Sequence, residues 1–418
     1  MISTVSKEHW RRRGSLISET THCFRNGTMW RLLLTFSLMC CSCEGWVTCK
    51  DEDGNPKDWY ILYKEPESKV NAPTSPEDGF RYIYIDEHGM KKGNKLINNP
   101  NGVLAHTLEP IFKPKSSMKS DFGFISYSDQ HSTCQVGTAE LAVDTVWDEL
   151  LKKPITTDIG HSKGVLMVEK NKKGVWLLHS TPQFPSARDQ DNFWPNNGFQ
   201  YGQTFICVTF DYLQFKNIGK HLQYIGACVF DYQIPEDFFP ELKDAASRKI
   251  LPPNTAFVSL TSSGGQEFKS IAKKKFGLVK GGDLYVTISD AVDSDLHVQT
   301  WGRQTGRRKS YCKSKHEVLN IEEITTDLGT WKDTDDHSKW CVSTHKEHTY
   351  VCVADVNRAP SQFKRRGGAL CIQHATLTET FQNFVSKTEP CKGTMATIFS
   401  VAQQGLDFVK YFAHPLFF

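Results

Sequence analysis

Several features are missing from the 418 residues. Beyond residue 45 there is no Cys-x-x-Cys pair, so the usual ligand spacing of a structural zinc site is absent. There is no collagen-like repeat, and at 39% hydrophobic and 23% charged the composition is that of a globular chain. The one Asn-x-Ser/Thr sequon, Asn26-Gly-Thr28, precedes a short apolar run, so glycan-dependent sorting finds no support. That run, in residues 29–45, is too short to span a bilayer. The tail from Lys392 is broken by Gln403, Gln404, Asp407 and Lys410 and does not read as a span either. Asp333-Thr-Asp-Asp-His337 lacks the Gly and distal Glu of a calcium loop and reads as a solvated turn, although its acidity leaves Ca²⁺ or Mg²⁺ binding as a rival. No base-reading motif and no lipid-gripping amphipathic surface is visible.

The apolar run does carry information. One Arg, a short hydrophobic core and then small residues make a secretory signal pattern over residues 29–45. Cleavage near Gly45 would remove Lys7, Arg11, Arg12, Arg13, Arg25 and Arg31 together with Glu8, Glu19 and Glu44, taking the net charge from +3 to 0. Thirteen of the 15 His would remain. Imidazoles titrate near ~6.5, so acidification favours binding of a polyanion. Nine Cys follow position 45, which in a secreted chain implies disulfides with at least one thiol left over.

Segments rich in β-branched and aromatic residues predict strands at 59–63, 81–85, 122–127, 164–168, 175–178, 204–210 and 349–353. Helical spacing appears at 138–151, 265–276 and 377–385. The expected fold class is mixed α/β. The expected organisation is an extension and signal peptide over 1–45, a first half over 46–234, a linker over 235–253, a second half over 254–391 and a tail over 392–418.

Two segments match at an offset of 176 residues: His161-Ser-Lys through His179, and His337-Ser-Lys through Asp355. Each reads as a hairpin, with apolar strands flanking a polar turn. Strand alternation puts His161 and Lys163 on one face, and His337 and Lys339 likewise. The returning strands would bring His179 near His161 and Asp355 near His337. Cys341 and Cys352 would face each other, in position for a disulfide. A pseudo-twofold relation would place two His and two Lys in one cleft. One His can attack phosphorus while the other, protonated below about pH 6.5, donates to the leaving oxygen. The two Lys would hold the non-bridging oxygens, and Asp355 would orient His337.

At these residues the chain resembles the deoxyribonuclease II family, whose fold is similar to the phospholipase D superfamily. The matching stretches include Asp58–Lys64, Leu96–Gly102, Tyr127–Gln130, Gly160–Gly164, His179–Pro185, Tyr201–Thr204, Asp336–Ser343, Cys352–Arg358 and Gly367–Cys371. The resemblance implies a pseudo-dimer of two similar halves, each a mixed β-sheet flanked by helices. It implies a lysosomal or secreted acid endonuclease acting on double-stranded DNA with no cofactor or divalent metal, leaving 3′-phosphate ends. His161, Lys163, His337 and Lys339 would be the catalytic set. The implied disulfides are Cys49–Cys207, Cys312–Cys371 and Cys341–Cys352, leaving Cys134, Cys228 and Cys391 over. Stable membrane insertion is not expected, and a homodimer is left open. The rivals are a lipid phosphodiesterase with the same two-His chemistry and a non-catalytic toxin or DNA-binding protein. Read from the residues alone, the basic runs 273–275, 307–309 and 364–366 are solvated surface, with contact to phosphates on either side of the cleft as the alternative.

Overall fold

A computed structural model describes residues 47–68, 76–134, 158–252 and 254–391, together with two short strands at 147–148 and 153–154. The signal segment 29–45 and the tail from Lys392 lie outside the described residues. So does the helical segment 138–151, apart from the strand Trp147–Asp148.

Eight strands form the first sheet: β1 (Trp59–Lys64), β2 (Tyr82–Asp86), β3 (Gly89–Lys92), β4 (Phe122–Ser128), β5 (Lys163–Glu169), β6 (Lys173–His179), β7 (Gln203–Asp211) and β8 (Val229–Gln233). Their order is β8-β4-β5-β6-β7-β1-β2-β3. The second sheet contains β9 (Ala256–Thr261), β10 (Glu267–Ala272), β11 (Leu296–Gln299), β12 (Val318–Thr326), β13 (Gly329–Lys332), β14 (Trp340–Ser343), β15 (Tyr350–Ala354), β16 (Gly368–Gln373) and β17 (Val385–Thr388). It runs β9-β10-β16-β15-β14-β11-β12-β13, with β17 on β12. The central strands β4-β5-β6-β7 and β11-β14-β15-β16 are antiparallel throughout and follow the chain in the same sense. Two similar halves, each a sheet flanked by helices, are therefore present. The sheet changes between β8 and β9, and helix α3 (Pro240–Ala246) sits in that connection with Leu242, Ala245 and Ala246 buried.

Strand alternation explains how the sheets meet. Leu166, Val168, Trp176 and Leu178 of the first hairpin face a core shared with Trp340, Val342, Val351, Val353, Leu370 and Ile372 of the second half. The opposite faces are covered too. Val165, Met167, Val175 and Leu177 pack with α1 (Val103–Leu108), and Ile271, Cys341, Cys352 and Cys371 pack with α4 (Leu284–Val292). Helices α2 (Phe215–Tyr224) and α5 (Ala375–Asn383) close the shared core at its edges. Among the described residues no helix is long and apolar enough to cross a membrane.

The seven predicted strands are present, and segment 377–385 carries α5. The helix expected at 265–276 is instead β10. Phe268 and Ala272 face the shared core while Ile271 faces the outer cluster. A strand buried on both faces reproduces, over a few residues, the spacing of a helical stripe.

The disulfides require a second correction. Cys49–Cys207 forms as the resemblance implies, but the others are Cys134–Cys228, Cys312–Cys391 and Cys352–Cys371. Cys341, Cys352 and Cys371 lie abreast on β14, β15 and β16, and Cys352 is the register partner of both neighbours. One sulfur can bond only one partner. Cys371 takes it, and Cys341 remains a buried free thiol. Peptide mapping without reduction should recover these four pairs, with Cys341 alkylated only after unfolding. A native protein that labels at Cys341, or a Cys341–Cys352 peptide, would contradict the assignment.

Candidate active site

The site is built where the ends of β4 and β5 meet the segment leading into β14. Ser128, the last residue of β4, pairs with Lys163, so Asp129 emerges beside the His161-Ser-Lys strand. Asp129 is buried and accepts three charged or polar donors. His161 Nδ1 lies 2.6 Å from its Oδ2, Lys163 Nζ 2.8 Å from its Oδ1, and Arg365 Nη2 2.9 Å from its Oδ2. Burial works against the carboxylate, yet its donors His161, Lys163 and Arg365 hold Asp129 well below the usual carboxyl range. An ionised carboxylate only accepts, so His161 Nδ1 carries the hydrogen and its Nε2 keeps a free lone pair. Gly164 follows because a Cβ there would lie 2.4 Å from the Tyr127 hydroxyl.

The second histidine is held differently. The His337 N–H donates to Gly202 O at 2.9 Å, which ties it to the first half. Its ring stacks on Tyr201 at 4.4 Å and 7°, and meets Trp301 edge-on at 4.2 Å. The register places Gln299 opposite Trp340, so two residues further on Trp301 stands where Asp129 stands in the first half. An aromatic slot thus replaces a carboxylate. Preceding His337, the Asp336 carboxylate accepts from Tyr63, from Trp331 Nε1 at 2.8 Å and from the Ser338 N–H at 2.8 Å. Gly202 has no room for a Cβ, which would lie 2.7 Å from that carboxylate. Lys339 Nζ donates to the His337 carbonyl.

The four residues of the two His-x-Lys motifs share one electrostatic environment. Burial, then the charges of Lys339 and Lys163, push His337 down to about 2. Burial is also the main cause for His161, which falls to about 3. Lys339 drops to about 7 through burial and then the repulsion of Lys163. Burial thus favours the neutral imidazoles in the unliganded centre. Buried cations that repel one another form a place suited to an anion.

The charge of Lys163 acts on both His179 and Asp355. In the first hairpin the register brings His179 alongside Lys163, whose charge acts on it. His179 is buried between Phe184 and Phe205, at ring distances of 4.9 and 5.5 Å, and burial lowers it to about 3. The second hairpin returns one residue sooner. Trp340 pairs with Val353 and the Ala354 N–H donates to Lys339 O, so residue 354 replaces 355 opposite the lysine. Asp355 therefore sits one position past the residue opposite the lysine. Its carboxylate accepts from the Gly368 N–H at 2.9 Å, its charge acts on Tyr127, and burial raises it to about 7.

The sequence reading missed Asp129, Arg365, Tyr201 and Trp301. Three had a visible signal: Asp129 lies in the motif Tyr127–Gln130, Tyr201 in Tyr201–Thr204 and Arg365 in the basic run 364–366. Five other residues of the basic runs serve the fold. Lys273 donates to Phe363 O, Lys275 and Arg366 pair with Asp158, Arg307 with Asp333, and Lys309 with Glu389. The acidic turn is spent likewise: Asp333 and Asp335 pair with Arg307 and Arg303 and Asp336 points inward, which leaves the rival cation reading without support.

Two similar halves with one cationic centre at their meeting point define a protein whose single site is assembled from a duplicated motif. A family model described as Deoxyribonuclease II matches residues 48–391, and the chain belongs to that family. Deoxyribonuclease-2-alpha of Sus scrofa is 34% identical over 365 residues, 83% of this chain and 92% of that protein. Plancitoxin-1 of Acanthaster planci is 30% identical, covering 82% and 92%. The yeast tyrosyl-DNA phosphodiesterase structure aligns with a TM-score of 0.30 at 11% identity, over 63% of this chain and 85% of that one.

Neutral burial of His161, His179 and His337 has a consequence for stability. Their folded values lie below the ~6.5 of an unfolded chain, so what they contribute is complete above that pH and is lost as pH falls toward 3. Asp355, raised to about 7, acts in the opposite sense, since acidification relieves its burial. Three imidazoles outweigh one carboxyl. The melting temperature of the unliganded protein should fall from pH 7 to pH 4, and a flat or rising profile would show the imidazoles are not buried neutral.

Proposed function

We propose that the protein is an acid endonuclease that hydrolyses double-stranded DNA through a covalent phosphohistidine, without a divalent metal, and leaves 3′-phosphate ends. The observation that carries this reading is the asymmetry of the two histidines around one cationic centre. His161 has its Nδ1–H committed to Asp129 and a free Nε2 lone pair, the state a nucleophile requires. His337 has no carboxylate partner, and its buried Nε2 has no hydrogen-bond partner.

A backbone phosphate entering the centre would be met by Lys163, Lys339 and Arg365, which supply the positive charge that a metal supplies in other nucleases. His161 Nε2 attacks phosphorus. The P–N bond forms, the P–O5′ bond breaks, and His337 gives its proton to the departing O5′. Water, deprotonated by the same His337, then attacks phosphorus. The P–N bond breaks, releasing a 3′-phosphate and restoring both imidazoles. His337 is neutral in the free protein and must take up a proton together with the anionic substrate, whose charge raises its proton affinity. Acid pH favours that uptake. A secreted or lysosomal setting agrees with the four disulfides.

Supercoiled plasmid at about pH 5 in excess EDTA should be nicked by the wild type and not by His337→Ala. Asp129→Asn keeps the shape but loses the charge that fixes His161, and nicking should slow by about 10²- to 10⁴-fold. Quenching with alkaline detergent, which spares a P–N bond, should trap with labelled DNA a covalent adduct that His161→Ala cannot form. No nicking by a folded wild type would send the search to phospholipid substrates and then to non-catalytic DNA binding.

A further inference from the structure

The connection between β10 and α4 is fastened beside the cationic centre and carries two exposed apolar side chains among lysines. We infer that it is a wedge for duplex DNA: Phe276 and Leu278 enter a groove and press against the bases, while Lys274, Lys280 and Lys364 meet the phosphates on either side. This inference rests on the nuclease reading of the centre.

Hydrogen bonds hold the connection against segments that bear the catalytic groups. Lys275 Nζ lies 2.8 Å from Asp158 Oδ1, three residues before His161. The Phe276 N–H and Lys273 Nζ both donate to Phe363 O, at 3.2 and 2.9 Å, two residues before Arg365. Two residues of chain span at most about 8 Å, and Arg365 itself reaches Asp129 at the centre. Each strand of B-DNA carries a phosphate per roughly 3.4 Å of axis. A duplex with one phosphate on the centre therefore has others within reach of this connection.

The chain doubles back tightly here. A Cβ on Gly282 would lie 2.2 Å from Phe276 O, and one on Gly281 3.7 Å from the Phe276 ring. The Gly282 and Asp283 N–H groups donate to Leu278 O and Val279 O, each at 3.0 Å. On this frame Phe276 and Leu278 are 44% and 65% exposed. Single apolar residues scattered over a surface need no explanation, but two of them two positions apart amid lysines do. Lys274 Nζ stands 6.0 Å from the centre of the Phe276 ring. Lys364 Cε lies 3.8 Å from where a Cβ on Gly277 would be, beside the residue that separates the two apolar side chains. Lys274, Lys280 and Lys364 are exposed and have no carboxylate partner among the described residues. Cations around an apolar tip complement a polyanion with an apolar interior, which is what a duplex presents at a groove. A Phe or Leu pushed between base steps in the minor groove unstacks and kinks the helix. Such a contact reads no base edge, so preference would follow deformability, with pyrimidine–purine steps favoured.

A short duplex with 2-aminopurine at a central TA step, titrated with full-chain His337→Ala protein at about pH 5 in EDTA, tests this without cleavage. Binding should raise the fluorescence of the unstacked base. Adding Phe276→Ser and Leu278→Ser should abolish the rise and weaken binding about 10-fold, with the salt slope unchanged. Adding Lys274→Ala and Lys280→Ala instead should lower the salt slope by about 2 and leave the rise at saturating protein. These changes fall on exposed side chains, so melting temperatures should match the parent. Binding with no rise, or a rise that survives Phe276→Ser with Leu278→Ser, overturns the proposal. So does intact duplex binding by that variant with lost binding to phosphatidylserine vesicles, which would make the loop a membrane contact. A rise with no plasmid nicking by the wild type supports the wedge and sinks the nuclease reading, whereas nicking with no rise overturns the wedge alone.

Discussion

One buried carboxylate organises this molecule. Asp129 accepts from His161 and Lys163 of its own half and from Arg365 of the other. Charge-assisted hydrogen bonds contribute about 1.5–3 kcal/mol each, and leaving such a cluster uncompensated in the interior costs about 3–5 kcal/mol. The carboxylate that takes Arg365 from the other half also fixes which nitrogen of His161 carries its hydrogen. Fold and chemistry are coupled at this residue, because losing its charge releases two cations and one tautomer together.

The duplicated hairpins then show where symmetry is kept and where it is given up. The strands that place His161-Ser-Lys163 and His337-Ser-Lys339 are equivalent in order and direction, so both motifs reach one centre. The surroundings differ. A carboxylate stands beside His161, while Trp301 and Tyr201 stand beside His337. A reaction that needs a nucleophile and a separate proton donor needs two unlike histidines. A duplicated fold can provide them by changing only the residue at the end of one neighbouring strand.

Much of this was legible in the sequence, for a physical reason. The two central hairpins are buried on both faces, so their apolar runs and polar turns are unmistakable, and the His-Ser-Lys repeat is local. What failed was what depends on register or on distant pairing. A single-residue difference in the return of the second hairpin moved Asp355 away from the position that a fixed offset assigned to it. Three cysteines abreast on adjacent strands could be paired in two ways, and spacing alone does not choose between them. Phe268 and Ile271 lie on opposite faces of one strand, yet in sequence they read as a single helical stripe. Asp129 and Arg365 are 236 residues apart, and no local pattern joins them.

The charge balance of the centre connects stability with function. Lys163, Lys339, Arg365 and two imidazoles crowd the space around Asp129, and burial together with the neighbouring charges depresses the protonation of His161, His337 and Lys339. Without an anion the centre stays at low charge by keeping its histidines neutral, a state that acid opposes. With a phosphodiester bound the balance inverts, because each added proton then faces a negative charge at short range. In the reaction proposed above, the centre is thus least comfortable in acid when empty and best satisfied in acid when occupied. That difference is binding energy available to the charged state that cleavage needs. The disulfide Cys352–Cys371 ties the second hairpin to β16 and Cys49–Cys207 ties the start of the fold to β7, so the unfolded chain is constrained next to both hairpins.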